Sequence, residues 1–491
     1  MTPMRHPATA RIGLVLGPLL FVLVETAAGL PAGNITHMAA IASLMVVWWI
    51  TEAIPLAATA LLPLVLFPLL GISSGKDVAR VYMNSTIFLF IGGFVLALAM
   101  QRWELHQRIA LRIISWFHGS ARMMVLGFML TAAFLSMWIS NTATATMLLP
   151  IGLAVYASSA ESLDEAAKQK LLTALMLGIA YACSIGGVST LIGTPPNMAL
   201  QRIFSITFPD APEITFAQWL FFALPISLSM LAITWLVITQ RYTRGNFASL
   251  TKPQTPDTTQ PMSYEQKAVA SVFALTALAW ILRRDIHLGA TVVPGWSGLL
   301  PHPALLDDGT IAIAAALLLF ILPCRNHSRY RTLVDVDTIA EIPWRIVLLF
   351  GGGFALAKGF SVSGLAEYVG QQFIALGQLD TVSLIAGLSA MVVFLTEVTS
   401  NTATAEMLLP LVASVAQAID VKPLLLMIPV TLAASMAFMM PIATPPNAIV
   451  FASGKLRIQD MVTTGLIINL FAITIITAIT WWWGSILFTL Q

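Results

Sequence analysis

The chain contains few charged residues. Only 10% of its 491 residues are Asp, Glu, Lys or Arg, against roughly 25% in an average soluble protein. Hydrophobic residues make up 58%, and the mean hydropathy is +0.85. This composition excludes a water-soluble globular protein and indicates a protein that lives in a bilayer. The net charge of +2 comes from basic residues spread over short loops, so no nucleic-acid partner is expected.

Cysteine is also scarce. The two cysteines, Cys183 and Cys324, match no metal-ligand spacing and imply no disulfide framework.

No clear signal peptide is present either. Arg5 and Arg11 precede an apolar run that ends near Leu30 and is long enough to span a bilayer core of roughly 30 Å. Residues 1–35 are therefore predicted to hold an uncleaved transmembrane helix with a cytoplasmic N-terminus.

What the chain does have is an internal repeat. Residues 140–150 read SNTATATMLLP and residues 400–410 read SNTATAEMLLP, so that only Thr146 and Glu406 differ. A TPPN motif follows each copy, at 194–197 and at 444–447. Polar, helix-breaking interruptions at matching places in two halves indicate a transporter site between repeats. We expect a first inverted repeat over 36–240, a polar linker over 241–264 and a second inverted repeat over 265–491.

Glycines recur at the same 260-residue offset, in FIGGF at 90–94 and FGGGF at 350–354. We interpret the stretches 83–100 and 343–360 as re-entrant hairpins with these glycines at their tips. The alternative is a pair of plain spanning helices that use small residues for close packing. The stretch 101–118 alternates polar and apolar residues, which predicts an interfacial helix. Residues 361–378 are its weaker counterpart.

The two motifs offer different chemistry. Ser, Asn and Thr cap helices well, so each SNT is expected to end one half-helix and begin another. Carbonyl groups at the first end hold a cation, and the N–H groups that open the second half-helix hold an anion. The prolines of TPPN remove amide donors and leave the carbonyl groups of Gly193 and Ala443 free for a hard cation such as sodium. Neither motif carries Lys or Arg, which favours cation-coupled anion transport.

Three acidic residues lie near the motifs. Glu397 is a candidate for substrate or proton chemistry, or for an ion pair with Lys358. Glu406 lies one turn after Thr402, where we expect it to face a packing partner. Glu52, before Pro55, is expected to be structural. The sequence leaves the roles of Glu397 and Glu406 open.

With both SNT motifs intact, nearly the whole chain from about residue 40 resembles the divalent anion:sodium symporter (DASS) family, the INDY-type dicarboxylate carriers. The resemblance implies an all-α polytopic membrane protein with about 11 transmembrane helices in two inverted repeats, broken at the SNT motifs. It also implies a homodimer that works by an elevator motion. The substrate-binding positions that it implies are Asn141, Thr142, Thr194, Asn401, Thr402 and Pro445. Those of the two sodium sites are Ser136, Ser140, Asn141 and Gly193, and Thr396, Thr399, Asn401 and Ala443.

The function expected from this resemblance is sodium-coupled symport of C4-dicarboxylates across the inner (plasma) membrane, with co-transported sodium ions. A sodium-independent exchanger of di- or tricarboxylates remains the alternative, because backbone ligands discriminate poorly between the two. An enzyme is not expected, since none of the seven histidines neighbours an SNT triplet. A channel would need a continuous polar pore, for which the sequence gives no pattern.

Overall fold

A computed structural model describes residues 8–26, 29–117, 119–160, 163–244, 261–288, 291–325 and 330–487. The fold is almost entirely helical. The helices of the first half are α1 (Ala8–Thr26), α2 (Asn34–Thr51), α3 (Leu56–Thr59), α4 (Leu62–Leu69), α5 (Gly75–Tyr82), α6 (Ser85–Arg102), α7 (Leu105–Ile114), α8 (Ala121–Ser136), α9 (Asn141–Ser159), α10 (Glu165–Gly187), α11 (Pro195–Thr207) and α12 (Phe216–Tyr242).

The second half opens with α13 (Tyr264–Ile281) and a small antiparallel ribbon, β1 (Ile286–Leu288) and β2 (Thr291–Val293). Short 3₁₀ turns cover Trp296–Leu299, Pro303–Leu305 and Ile374–Gln378, and a π-helical turn covers Thr480–Gly484. The remaining helices are α14 (Asp308–Ile321), α15 (Val336–Ala340), α16 (Trp344–Ser363), α17 (Leu365–Gln372), α18 (Thr381–Leu395), α19 (Asn401–Ala418), α20 (Pro423–Ala434), α21 (Pro445–Ala452), α22 (Ile458–Ile479) and α23 (Ser485–Leu487).

The helices suit a bilayer. Within the described ranges, eight helical segments are long and apolar enough to cross a membrane, and five shorter ones are also apolar. Helices α8, α18 and α20 belong to the shorter group, as expected for elements that stop within the membrane. The exact number of crossings stays a prediction.

The glycine-bearing stretches are not hairpins, and that prediction is wrong. Helices α6 and α16 run without interruption through their glycines. These glycines allow backbones to pack closely: a Cβ atom on Gly92 would lie 2.5 Å from the carbonyl carbon of Ala312, and one on Gly352 would lie 2.6 Å from the Cα atom of Ala60. The alternative of plain helices with small packing residues is the correct one.

The chain reverses instead at the first SNT motif. Helix α8 ends at Ser136 and α9 begins at Asn141. Gly152, eleven residues after Asn141, packs near the ring of Phe128, eight residues before Ser136. At 1.5 Å of rise per residue, these two residues would lie far apart if α9 continued the direction of α8. The two helices therefore form an antiparallel hairpin whose tip is residues 137–140.

The second SNT motif lies at an equivalent tip. Helices α18 and α20 pack together, and the Thr396 hydroxyl at the end of α18 donates to the carbonyl of Ala434 at the end of α20. The two helices thus run in the same direction. Helix α19 is joined to α20 by only four residues, 419–422, and packs against it in the opposite direction. Helices α18 and α19 therefore form a second hairpin, with residues 396–400 at its tip.

Both TPPN motifs interrupt helices as expected. The backbone is not helical over 188–194, between α10 and α11, or over 435–444, between α20 and α21. The two halves then pack crosswise: α11 contacts α19 and α20, while α21 contacts α9 and α10. This exchange brings the two hairpin tips and the two interrupted helices to one place.

The remaining predicted segments are the two interfacial helices, which the structure divides, and the linker. The stretch 101–118 divides at Trp103 and Glu104, where Glu104 has a left-handed backbone (φ 55°), and becomes the end of α6 followed by α7. The stretch 361–378 becomes the end of α16, α17 and a 3₁₀ turn. Residues 245–260, most of the predicted linker 241–264, lie outside the described residues, so the boundary between the halves stays a prediction.

Candidate functional site

The two hairpin tips and the two interrupted helices enclose a cavity of about 760 Å³. All six residues predicted to bind substrate line it, and so do six of the eight predicted to hold sodium. The lining residues from this set are Ser140, Asn141, Thr142, Gly193, Thr194, Thr399, Asn401, Thr402, Ala443 and Pro445. The two that do not line it, Ser136 and Thr396, are fully buried behind the tips.

At the first tip, the Ser140 hydroxyl accepts from the backbone N–H of Ala143 at 3.2 Å and caps α9 as expected. Behind it, the Ser136 hydroxyl donates to Oδ1 of Asn141 at 2.5 Å. The Thr190 hydroxyl, from the interrupted helix, donates to the carbonyl of Met137 at 2.5 Å. These bonds fix the Asn141 side chain at the cavity wall and tie the tip to the interruption.

The second tip repeats the pattern with one exception. The Thr396 hydroxyl lies 2.9 Å from Oδ1 of Asn401, as Ser136 does from that of Asn141. The Thr399 and Thr404 hydroxyls lie 2.6 Å apart. Ser400, however, makes no side-chain capping bond to α19. The first N–H groups of α19 therefore have no side-chain cap and face the cavity region.

The asparagine of each TPPN motif organises the interrupted backbone. Asn197 is fully buried, and its amide donates to the carbonyls of Val188 and Thr190 at 3.0 and 2.7 Å. The amide of Asn447, also fully buried, donates to the carbonyls of Ala437 and Met440, both at 3.1 Å. These asparagines were not among the predicted site residues, although their matching positions in the two halves were visible in the sequence.

Glu397 organises the second interruption. Its Oε1 accepts from the backbone N–H groups of Phe438 and Met439 at 2.8 and 2.9 Å and from the Asn469 amide at 2.7 Å. Its Oε2 accepts from the N–H of Met440 at 2.9 Å. An ionised carboxylate, which only accepts, matches four donors. This arrangement makes Glu397 a support of the backbone that lines the cavity.

Two expectations for the acids change accordingly. Glu397 does not pair with Lys358, which lines a separate small cavity with Asp77. Glu52 lines the main cavity, at the end of α2, where its backbone is left-handed (φ 48°). The sequence offered no sign of Glu397's partners, because they lie 41 to 72 residues downstream.

The electrostatics of the cavity come from the backbone. Among the residues that the structure describes, no Lys or Arg lines it, and Glu52 is the one acid that does. Besides the single turn α3, four helices begin at its wall, with Asn141 of α9, Pro195 of α11, Asn401 of α19 and Pro445 of α21. Their N-termini carry partial positive charge and favour an anion. The carbonyls of the interruptions and the asparagine oxygens favour a hard cation beside it.

Two paired helical hairpins, two interrupted helices and a shared polar cavity inside an apolar bundle define a multi-pass membrane transport protein. Two solved structures share this fold. The Alcanivorax borkumensis YdaH transporter superposes with a TM-score of 0.57, at 14% identity over 97% of this chain and 98% of its own. The Neisseria gonorrhoeae efflux protein MtrF gives 0.56, at 12% identity over 94% and 96%.

The sequence comparisons go further. A family model described as the sodium:sulfate symporter transmembrane region matches residues 8–490. The sodium-dependent dicarboxylate transporter SdcS of Staphylococcus aureus, in strains NCTC 8325 and COL, is 43% identical over 484 residues, which cover 96% of this chain and 90% of the relative. The chain belongs to the divalent anion:sodium symporter family.

Proposed function

We propose that this protein is a sodium-coupled symporter of C4-dicarboxylates such as succinate, malate and fumarate. One observation carries the proposal: the two SNT tips present helix N-termini to a single cavity, and none of the described residues that line it is Lys or Arg. A dianion there needs charge balance from those N-termini and from co-bound cations. The 43% identity to a sodium-dependent dicarboxylate transporter supports the same substrate and coupling ion.

Each end of the substrate is assigned to one tip. Asn141 and Thr142 bind one carboxylate, and Asn401 and Thr402 bind the other, through side chains and the first N–H groups of α9 and α19. An Asn amide supplies two donors for such a group. Thr194 and Pro445, from the TPPN motifs, line the pocket between the tips and limit the length of the substrate.

Sodium is co-transported, and its first site is built from Ser136, Ser140, Asn141 and Gly193. Oδ1 of Asn141 and the carbonyl oxygen of Gly193 are neighbours, because both lie beside Gly187, 2.7 and 3.0 Å from where a Cβ atom on that residue would stand. Oxygen ligands that converge in this way suit a hard cation.

The second sodium site uses Thr396, Thr399, Asn401 and Ala443. The Thr396 hydroxyl lies beside Oδ1 of Asn401 as the Ser136 hydroxyl lies beside Oδ1 of Asn141. The Ala443 carbonyl belongs to the interruption that Glu397 supports from behind. The two sites thus rest on equivalent parts of the two halves.

The proposed architecture is a pair of inverted repeats, over 36–240 and 265–491, in a homodimer in the cell inner (plasma) membrane. The crosswise packing of α11 on α19 and of α21 on α9 supports a two-fold relation between the halves. Equivalent residues also meet across it: the rings of Phe90 and Phe350, 260 residues apart, have centroids 5.0 Å apart. The bundle that carries the tips moves as an elevator against the rest.

The test is succinate uptake into proteoliposomes with and without an inward sodium gradient, with potassium as the control cation. Sodium should raise the apparent affinity for succinate, since coupled ligands promote each other's binding. Succinate counterflow at full rate in sodium-free and lithium-free buffer would overturn symport and favour the exchanger. A panel of sulfate, citrate and tartrate in the same vesicles fixes the substrate class.

A further inference from the structure

A buried acid lies outside the site described so far. Glu406, on α19, is 0% exposed, and neither of its carboxyl oxygens has a hydrogen-bond partner among the described residues. No ion pair involves it in the part of the chain that the structure describes. An ionised carboxylate in such surroundings costs several kcal/mol or more, so the neutral, protonated form is the one that fits.

The second half is shaped around this carboxyl group. Gly353 of α16 faces it, because a Cβ atom at that position would lie 2.5 Å from the Glu406 carboxyl carbon. Gly351, two residues earlier, leaves room for the ring of Tyr82. In the first half, 260 residues earlier, Gly93 stands at the position of Gly353 and Thr146 at that of Glu406.

The comparison between the halves shows that this is more than packing. Thr146 is exposed, whereas Glu406 is enclosed. The glycine that faces this position is therefore common to both halves, and the enclosed carboxyl group is the departure from the repeat between α16 and α19. A sequence that needed only to fill this space had apolar side chains available, which bury at no electrostatic cost.

None of the described titratable groups around Glu406 forms a hydrogen bond or an ion pair with its carboxyl group. Tyr82, at the end of α5, is a titratable neighbour of Glu406, and the Tyr82 hydroxyl donates to the carbonyl of Ala60. The helices packed against α19 are α2, α11, α16, α17 and α20. None of their titratable side chains bonds to the Glu406 carboxyl; they are His37, Arg202, Arg345, Lys358, Glu367 and Tyr368.

We propose that Glu406 is a proton-binding site, protonated while α19 packs on α16 and deprotonated when the two helices separate. Release breaks the carboxyl O–H bond and passes the proton to water that enters between the helices. Packing then requires that the proton be taken up again. High pH therefore disfavours the packed conformation seen here.

Thermal unfolding of the detergent-solubilised protein, without substrate, tests proton binding. At neutral pH the folded protein holds a proton that the unfolded chain has released, so the folding equilibrium falls as pH rises, by up to about tenfold per pH unit. Glu406→Gln, which cannot ionise, should lack this component, and its unfolding midpoint should exceed the wild-type value increasingly from pH 6 to 8.5. Glu367→Gln, the same change at an exposed position on α17, should track the wild type.

Parallel wild-type and Glu406→Gln midpoints over this range would overturn the proposal. If Glu406→Gln fails to fold, Glu406→Thr, which restores the residue of the first half, takes its place with the same expectation. This measurement does not depend on transport.

Succinate uptake forms the second arm, and it rests on the proposed function. The ratio of Glu406→Gln to wild-type uptake should rise with pH, while the ratio for Glu367→Gln stays level. If the ratio is independent of pH for both variants, proton binding by Glu406 is not a step of the transport cycle. If the wild type takes up no dicarboxylate at all, the proposed function fails, and the unfolding result still decides the proton site.

Discussion

Replacing Glu397 with Gln should weaken the second sodium site without unfolding the protein. The glutamine oxygen, in the place of Oε1, keeps the three bonds from Phe438, Met439 and Asn469. Its NH₂ group then faces the N–H of Met440, a donor against a donor. One charge-assisted bond is lost and one buried N–H is left unpaired, at a cost of roughly 1–3 kcal/mol.

That cost falls on the backbone near the Ala443 carbonyl, three residues beyond Met440. If the whole cost destabilises the sodium-bound conformation, the affinity for sodium drops by about 5- to 160-fold. This range corresponds to a free-energy difference of about 1–3 kcal/mol at room temperature. The measurement is the sodium concentration that gives half-maximal succinate uptake. Asn469→Ala removes one of the four donors to Glu397 and should shift this sodium concentration less. The control variant Glu367→Gln should not shift it.

An unchanged sodium dependence in Glu397→Gln, at equal amounts of folded protein, would refute the supporting role. Glu397→Ala is a harsher change, because it leaves four buried donors without an acceptor. At about 1–3 kcal/mol each, the total approaches the whole stability of a typical protein. This variant is therefore expected to yield little folded protein, which size-exclusion chromatography would show.

Further predictions concern the tips and the surface. Asn141→Ala and Asn401→Ala should each lower succinate binding about tenfold or more, for a lost polar partner worth roughly 1–3 kcal/mol; near-normal uptake by both would remove these residues from the site. Gly187→Ala places a methyl group 2.7 Å from Oδ1 of Asn141 and should abolish one sodium equivalent in isothermal titration. The Arg102 guanidinium donates to Asp335 at 3.0 Å and lowers the pKa of that carboxyl from its ordinary value. This pair stabilises the fold above the unfolded-state pKa and is lost as pH falls through the folded-state pKa, so Asp335→Asn should lower the unfolding midpoint at pH 7 but not in strong acid.

Local sequence signals predicted the places where helices end. Ser140 caps α9 because its hydroxyl reaches an N–H only three residues away, and Pro195 and Pro445 begin helices because proline suits the first turn. These effects need no knowledge of the rest of the chain. Hence the helix breaks at the SNT motifs and the interruptions at the TPPN motifs were accessible from the sequence, and ten residues that the resemblance implied lie in the cavity lining.

The direction of the chain after each break was not accessible in the same way. Glycine permits both a tight reversal and close helix packing, so FIGGF and FGGGF did not distinguish the two. What distinguishes them is the partner, and Ala312 and Ala60 lie far from Gly92 and Gly352 in sequence. For the same reason the partners of Glu397 could not be inferred, because a carboxylate in an apolar run gives no sign of which distant N–H groups it will meet.

The departures from the repeat indicate that the two proposed sodium sites differ in strength. Where the second half has Glu397, directly after Thr396, the first half has Met137 directly after Ser136. A carboxylate next to a proposed ligand in the sequence attracts a cation at the second tip, because charges interact more strongly in a medium less polar than water. Its four N–H donors spread its charge without cancelling it, since none of them is a cation. On the proposed assignment the second tip should therefore bind sodium first, and the weaker first tip should set the sodium concentration at which transport begins.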